Sequence, residues 1–106
     1  MTEFDPGKFE EKYVHYFEEL EAAYSNAYQS LHGERDSELL RAIDRRVLAE
    51  SEPFYEGDGT FRVELPEDPY ELAGRPGEET AFEAVLDDLV AEIEAELRAV
   101  FDLDDA

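Results

Sequence analysis

The chain has 106 residues, of which 30 are Asp or Glu and nine are Lys or Arg, so its formal net charge is −21 at pH 7. Nucleic-acid binding depends largely on Lys and Arg that neutralise phosphates, and an anionic membrane surface repels a polyanion, so we expect neither as a partner. Because the sequence contains no cysteine, disulfides, thiolate metal ligands and a cysteine nucleophile are excluded.

The composition is that of a folded protein rather than a disordered one. Hydrophobic residues make up 42% of the chain and aromatic residues 12%, which can supply a core despite the charge. We therefore expect a single domain over residues 1–106. The amino-terminal segment lacks the pattern of a signal peptide, and no apolar run approaches the roughly 20 residues that span a bilayer. Because salt would screen the self-repulsion, the sequence favours a cytoplasmic protein adapted to high salt.

The first predicted helix covers residues 6–31. Asp5 can cap its free amide groups and Pro6 suits its first turn, whereas His32 and Gly33 are typical of a helix end. The helical period places most of its apolar side chains on a stripe roughly 120° wide. These side chains are Phe9, Tyr13, Tyr16, Phe17, Leu20, Tyr24, Ala27, Tyr28 and Leu31. At about 26 residues, this helix would be near 39 Å long.

The second predicted helix covers residues 37–50, and Asp36 can cap it. Leu39, Leu40, Ile43 and Val47 share one face of this helix, whose length would be about 21 Å.

Residues 53–77 form a hairpin and a loop in our prediction. Apolar residues alternate with charged ones after a turn at 57–59, which indicates a small β-hairpin. Several Pro and Gly residues between 66 and 77 then favour an ordered loop.

The third predicted helix covers residues 80–101. Thr80 and Glu83 have the spacing of a capping box, and the apolar period continues as far as Phe101. The acidic residues 102–106 lie where a helix carboxyl end disfavours negative charge, so we expect this tail to fray.

Together these elements predict a mainly α fold: a three-helix bundle with a small β-hairpin and an ordered loop between the second and third helices. The first helix is longer than the second, so part of its aromatic stripe needs another cover. Either residues 53–77 fold back over it or another chain covers it. The second alternative predicts a homodimer.

Basic residues are concentrated in the second helix. Arg41 and Arg45 are one turn apart and point away from the apolar face, whereas Arg46 lies beside that face and Leu48 lies near the arginines. This patch could dock an acidic partner or a second copy of the chain. It could also pair with glutamates of the first and third helices, which is the interpretation that we favour.

The stretch from residue 54 to residue 70 combines aromatic, acidic and turn residues. Tyr55, Glu56, Asp58 and Tyr70 are candidate ligands for a small molecule or a hard cation. Their spacing does not match a calcium-binding loop, and tyrosines in such a stretch more often cover the end of a core.

His15 lies within one helical turn of Glu11, Glu18 and Glu19, which is a metal-capable set. That surface lies opposite the apolar stripe and is open to water, so we predict no metal site and no cofactor. Phosphate-binding, dinucleotide-binding and hydrolase motifs are also missing from the sequence, although an enzyme without a familiar motif is not excluded.

Three segments carry a resemblance to a known family: FDPGKFEEKYVHYFEELEAAY, ESEPFYEGDGTFRVELPEDPY and FEAVLDDLVAEIEAELRAVF. Together they resemble a family of small acidic haloarchaeal proteins of unknown function. The resemblance implies a halophilic, cytoplasmic protein and carries no activity or active-site residue. We predict a non-enzymatic protein-interaction or adaptor module adapted to high salt. The alternative is a small-molecule or metal-ion binding protein, possibly an enzyme, with a site in residues 54–70.

Overall fold

The amino-terminal part of the chain forms three short segments instead of one long helix. The structure, a computed structural model, describes residues 4–101 and residue 103. It begins with a 3₁₀ turn, Lys8–Glu11, which is followed by helix α1, Lys12–His15, and helix α2, Phe17–Leu31. Tyr16 separates the two helices with φ −130° and ψ 23°, and its hydroxyl accepts a hydrogen bond from the Asp5 amide at 2.9 Å. The chain therefore bends where a continuous period predicted a straight helix.

The second helical region is irregular. Helix α3, Ser37–Ala42, continues into a π turn, Ile43–Val47, and a 3₁₀ turn, Leu48–Glu50. The Asp36 carboxylate accepts hydrogen bonds from the amides of Glu38 at 2.9 Å and Leu39 at 3.3 Å, which confirms the predicted cap.

The predicted hairpin is confirmed. Strands β1, Glu52–Gly57, and β2, Thr60–Glu64, are antiparallel, and Tyr55 lies opposite Phe61 in their register. Asp58 (φ 54°) and Gly59 (φ 74°) both adopt the left-handed backbone conformation that the tightest hairpin turns require.

Two helices complete the fold. The short helix α4, Pro69–Leu72, lies within the stretch predicted as a loop. Helix α5, Glu79–Val100, begins one residue before the predicted start, and Glu78 is the residue at its cap. No side-chain hydrogen bond caps this helix, so the predicted capping box at Thr80 is not formed.

Helix α5 lies at the centre of the packing. It contacts α2 and β2, and its predicted apolar face is buried, with Leu89, Ile93 and Leu97 fully inaccessible. The predicted face of the second helical region is also buried, including Leu40, Ile43 and Val47. At one end of this core, rings from the amino terminus, the hairpin and the end of α5 contact one another. They are Phe4, Phe9, Tyr16, Tyr55, Phe61 and Phe101.

The prediction of a three-helix bundle is wrong. The fold is mainly helical, but a two-stranded antiparallel sheet forms part of its core, with Phe61 and Val63 of β2 buried against α5. The Val63 amide donates to the Glu94 carboxylate of α5 at 3.1 Å, which ties the sheet to the helix.

A homodimer was predicted because the first predicted helix was too long for the other two predicted helices to cover fully. The observed helix lengths remove that reason. Helix α2 has 15 residues and α5 has 22, so no 26-residue helix is left uncovered.

The predicted frayed tail, 102–106, lies outside the described residues except for Leu103. In the part of the chain that is described, no helix has both the length and the apolar character needed to cross a membrane.

Candidate functional site

Three large apolar side chains close together in sequence are exposed near the bend at Tyr16. The exposed fractions are 56% for Tyr13, 76% for Val14 and 55% for Phe17. The sequence predicted that Tyr13 and Phe17 would lie on the buried stripe with Tyr16. The bend changes the direction of the helix, so that Tyr16 is buried and its apolar neighbours face solvent.

The exposed rings border a depression of about 210 Å³, which we call the aromatic groove. Helix α2 supplies one wall, and the residues that lead into β1 supply the other. Its lining includes Tyr13, Phe17, Leu20, Glu21, Tyr24 and Pro53. The Tyr24 hydroxyl lies 3.3 Å from the Ser51 hydroxyl, so a hydrogen bond connects the two walls.

The aromatic groove has a negative electrostatic character. Burial raises the pKa of Tyr24 above its ordinary value, the hydrogen bond with Ser51 opposes this rise, and Tyr13 and Glu52 add smaller increases. The pKa of Tyr13 is also raised, first by partial burial and then by Glu52. Glu21 lies in the groove itself. The groove therefore combines apolar surface with the Glu21 carboxylate, which would attract a cation, while Glu52 is already paired with Lys12.

Lys12 joins the aromatic groove to a second depression, of about 450 Å³. Its ammonium lies 2.8 Å from the Glu52 carboxylate and about 5 Å from the ring centres of Phe9, Tyr13 and Phe54. Only 4% of Lys12 is exposed. Lys12 therefore holds α1 against β1. Its positive charge is balanced by the ion pair with Glu52 and by cation–π contacts with the rings.

The predicted basic patch is partly assembled. Arg41, Arg45 and Arg46 are all exposed and line a depression of about 340 Å³ together with Glu38. Leu48 is separate from them, because it is 6% exposed and packs in the core. None of the three arginines has a carboxylate of the described residues within 4 Å, so the pairing that we favoured from the sequence is not present.

The four candidates in residues 54–70 lie in different surroundings. The Tyr55 hydroxyl accepts a hydrogen bond from the Gly59 amide at 2.9 Å, while Tyr70 donates to the Gly77 carbonyl. Glu56 pairs with Arg62 at 3.3 Å, and Asp58 lies in the hairpin turn. Tyr55 and Tyr70 line separate depressions. The structure therefore does not bring these residues together around one ligand.

The acidic surface around His15 does not form a metal-binding cluster. His15 lies 3.9 Å from Glu11, and the bend at Tyr16 places Glu18 and Glu19 on the next helix. Among the described residues, no group of three or more His, Asp or Glu side chains is placed to hold a metal ion.

Sequence reasoning missed the aromatic groove and the role of Lys12. One signal was available: Val14 is apolar but lies off the predicted stripe, on a face that should be polar. The pairing of Lys12 with Glu52 leaves no such signal, because the two residues are 40 positions apart.

Comparison with curated proteins and with solved structures finds no match. The model of one family does match, over residues 1–104, and its description gives no function. This agrees with the resemblance to a family without a known activity. The chain belongs to the family of unknown function DUF5783.

Proposed function

We propose that this protein is a non-enzymatic interaction module that docks a partner polypeptide in the aromatic groove. The observation that carries the proposal is the exposure of Tyr13, Val14 and Phe17 beside an open depression. Scattered exposed apolar residues are normal on a protein surface, but two exposed rings that line the same depression, here Tyr13 and Phe17, are typical of an interaction site.

The charge around the groove indicates the chemistry of the partner. Glu21 supplies a carboxylate among the apolar side chains of the lining, whereas the nearby Glu52 is already paired with Lys12 at 2.8 Å. A partner that places apolar side chains in the groove and Lys or Arg at its edge would satisfy both features. We therefore commit to a basic amphipathic segment, such as a helix with an apolar face.

A second copy of this chain fits the groove less well. It would bring the same carboxylates to the interface, and each copy has a net charge of −21. Strong salt reduces this repulsion without creating attraction. We propose that the module works in a salt-rich cytoplasm, where an apolar groove retains its affinity better than an exposed ion pair does.

The test uses a fluorescent synthetic peptide of about 14 residues, with Leu on one helical face and Lys on the other. We expect it to bind the full chain in about 0.5 M KCl, as measured by fluorescence anisotropy. Phe17→Ser and Tyr13→Ser should each weaken binding about tenfold, since each removes an apolar contact of the groove. Both residues are more than half exposed, and since the Tyr13 ring also faces the Lys12 ammonium, circular dichroism of both variants verifies that they fold like the natural chain.

Leu72→Ser is the matched control, because Leu72 is an exposed apolar residue on α4. It should leave peptide affinity unchanged. Equal affinity of the natural chain and the Phe17 variant would contradict the proposal. A dimer in light scattering that Phe17→Ser abolishes would identify a second copy as the occupant and would also overturn it.

A further inference from the structure

A second surface of the molecule, formed by residues that shortly precede the aromatic-groove residues 48–53 in sequence, is lined by three arginines. The chain has nine basic residues, and Lys12, Arg35, Arg62 and Arg75 each form an ion pair with a carboxylate. The arginines of the second helical region have no such partner among the described residues. Asp44 interacts electrostatically with Arg45, but no carboxylate of the described residues lies within 4 Å of these three arginines, which is unexpected in a chain with 30 acidic residues.

The π turn brings these arginines together. In a regular α-helix, Arg41 and Arg46 would point about 140° apart, because each residue advances the helix by about 100°. The turn at Ile43–Val47 is wider, and the Leu48 amide donates to the carbonyl of Ile43, five residues earlier. A wider turn reduces the angle between side chains five positions apart. Both arginines consequently line one depression with Arg45, which we call the arginine groove.

The arginine groove suits carboxylates of a polypeptide. A guanidinium is a planar fork that can bind a carboxylate through two parallel hydrogen bonds, and three arginines line this one depression. The depression has a volume of about 340 Å³ and is open to solvent. Glu38 at its edge would repel a uniformly anionic polymer, such as a nucleic acid, more than a segment with spaced acidic residues.

We propose that the arginine groove binds an acidic segment of a partner polypeptide. This inference is independent of the aromatic groove and its occupant. The chain then has two docking surfaces of opposite chemical preference, one for a basic amphipathic segment and one for an acidic segment. That arrangement is what an adaptor between two proteins needs. A second copy of the chain is a weaker candidate, since its net charge of −21 opposes its approach.

The experiment uses a fluorescein-labelled peptide of 12 residues in which Glu alternates with Ala, and the same peptide with Gln in place of Glu. Anisotropy is measured with the full chain in about 0.3 M KCl, where long-range repulsion is largely screened. We expect the Glu peptide to bind at least tenfold more tightly than the Gln peptide. The double variant R41Q/R45Q should lose at least tenfold in affinity for the Glu peptide.

Arg75→Gln is the matched control, because Arg75 is exposed and pairs with Glu71 at 2.9 Å on another helix. It should bind the Glu peptide like the natural chain. Arg46→Gln tests the same groove with one substitution if the double variant does not fold. Arg46→Lys keeps the charge without the fork and should recover only part of the affinity.

Three results would overturn the proposal. The first is equal affinity for the Glu and Gln peptides, and the second is an affinity that the arginine substitutions leave unchanged. The third is a different occupant: binding of a single-stranded RNA oligonucleotide without binding of the Glu peptide, or a dimer that R41Q/R45Q dissociates.

Discussion

Lys12 is the clearest case in which one residue depends on the rest of the fold. Lysine is almost never fully buried unless it is paired, and here 4% of the residue is exposed. Glu52 supplies the negative charge at 2.8 Å, while three aromatic rings face the ammonium. This contact joins α1, which carries Tyr13 of the aromatic groove, to β1.

Glu52→Gln should lower the free energy of unfolding by about 1–2 kcal/mol, because it leaves a buried ammonium without its charged partner. The value is below that of a fully buried pair, since 47% of the Glu52 side chain is exposed. Urea denaturation at fixed KCl concentration measures the change. Glu64→Gln is the matched control: Glu64 lies opposite Glu52 in the hairpin and pairs with the exposed Arg62.

The control changes the net charge by the same amount and should cost less than about 0.5 kcal/mol. If the two variants lose the same stability, Lys12 does not depend on Glu52 in the way that its burial implies.

At the scale of elements, the interruptions of the helices decide which side chains reach the surface. The bend at Tyr16 exposes Phe17, and the π turn at Ile43–Val47 groups the arginines. The arginine groove therefore lies at a helix irregularity, whereas the aromatic groove combines Tyr13, which precedes the bend, with a regular face of α2. The regular parts, such as α5, are used to build the core.

The cap at Asp36 determines where α3 begins, and with it the position of the π turn. Asp36→Ala removes a side-chain acceptor from two amides and should lower the free energy of unfolding by about 1 kcal/mol. Guanidinium denaturation followed by circular dichroism measures this loss. Glu34→Ala removes one negative charge from an exposed position two residues earlier, and should change stability by less than about 0.5 kcal/mol. A loss shared by both variants would show that charge, not capping, is responsible.

At the scale of the whole molecule, almost all charged side chains lie outside the hydrophobic core. Of the charged residues that the structure describes, only Lys12 is buried, so the carboxylates lie at or near the surface. Thirty acidic residues on a chain of 106 repel one another, and the compact state keeps them closer together than the unfolded state does. Stability should consequently depend on salt.

We expect the melting temperature to rise as KCl increases from about 0.05 M to 1 M, because the Debye length falls from more than 10 Å to about 3 Å. Differential scanning fluorimetry at several KCl concentrations measures the trend. If screening is the cause, the rise should be steepest at the lowest KCl concentrations, where the Debye length changes most. A melting temperature that is constant or falls over this range would contradict the account of a high-salt protein.

The sequence by itself determined the features that depend on near neighbours along the chain. The apolar period of α5, the burial of Ile43, the Asp36 cap and the turn at Asp58 and Gly59 all follow from local spacing and backbone preference. These features are local because a helix face, a cap or a tight turn involves residues only a few positions apart.

Only the tertiary structure decided where the periodic pattern stops. Tyr16 lies on the same predicted stripe as Phe17, yet one is buried and the other exposed, because the amino terminus folds back to bond the Tyr16 hydroxyl. The burial of Lys12 likewise depends on a glutamate 40 residues away. The burial of Tyr16 and Lys12 depends on contacts between segments that are distant in sequence. The spacing of residues along one helix cannot predict such contacts.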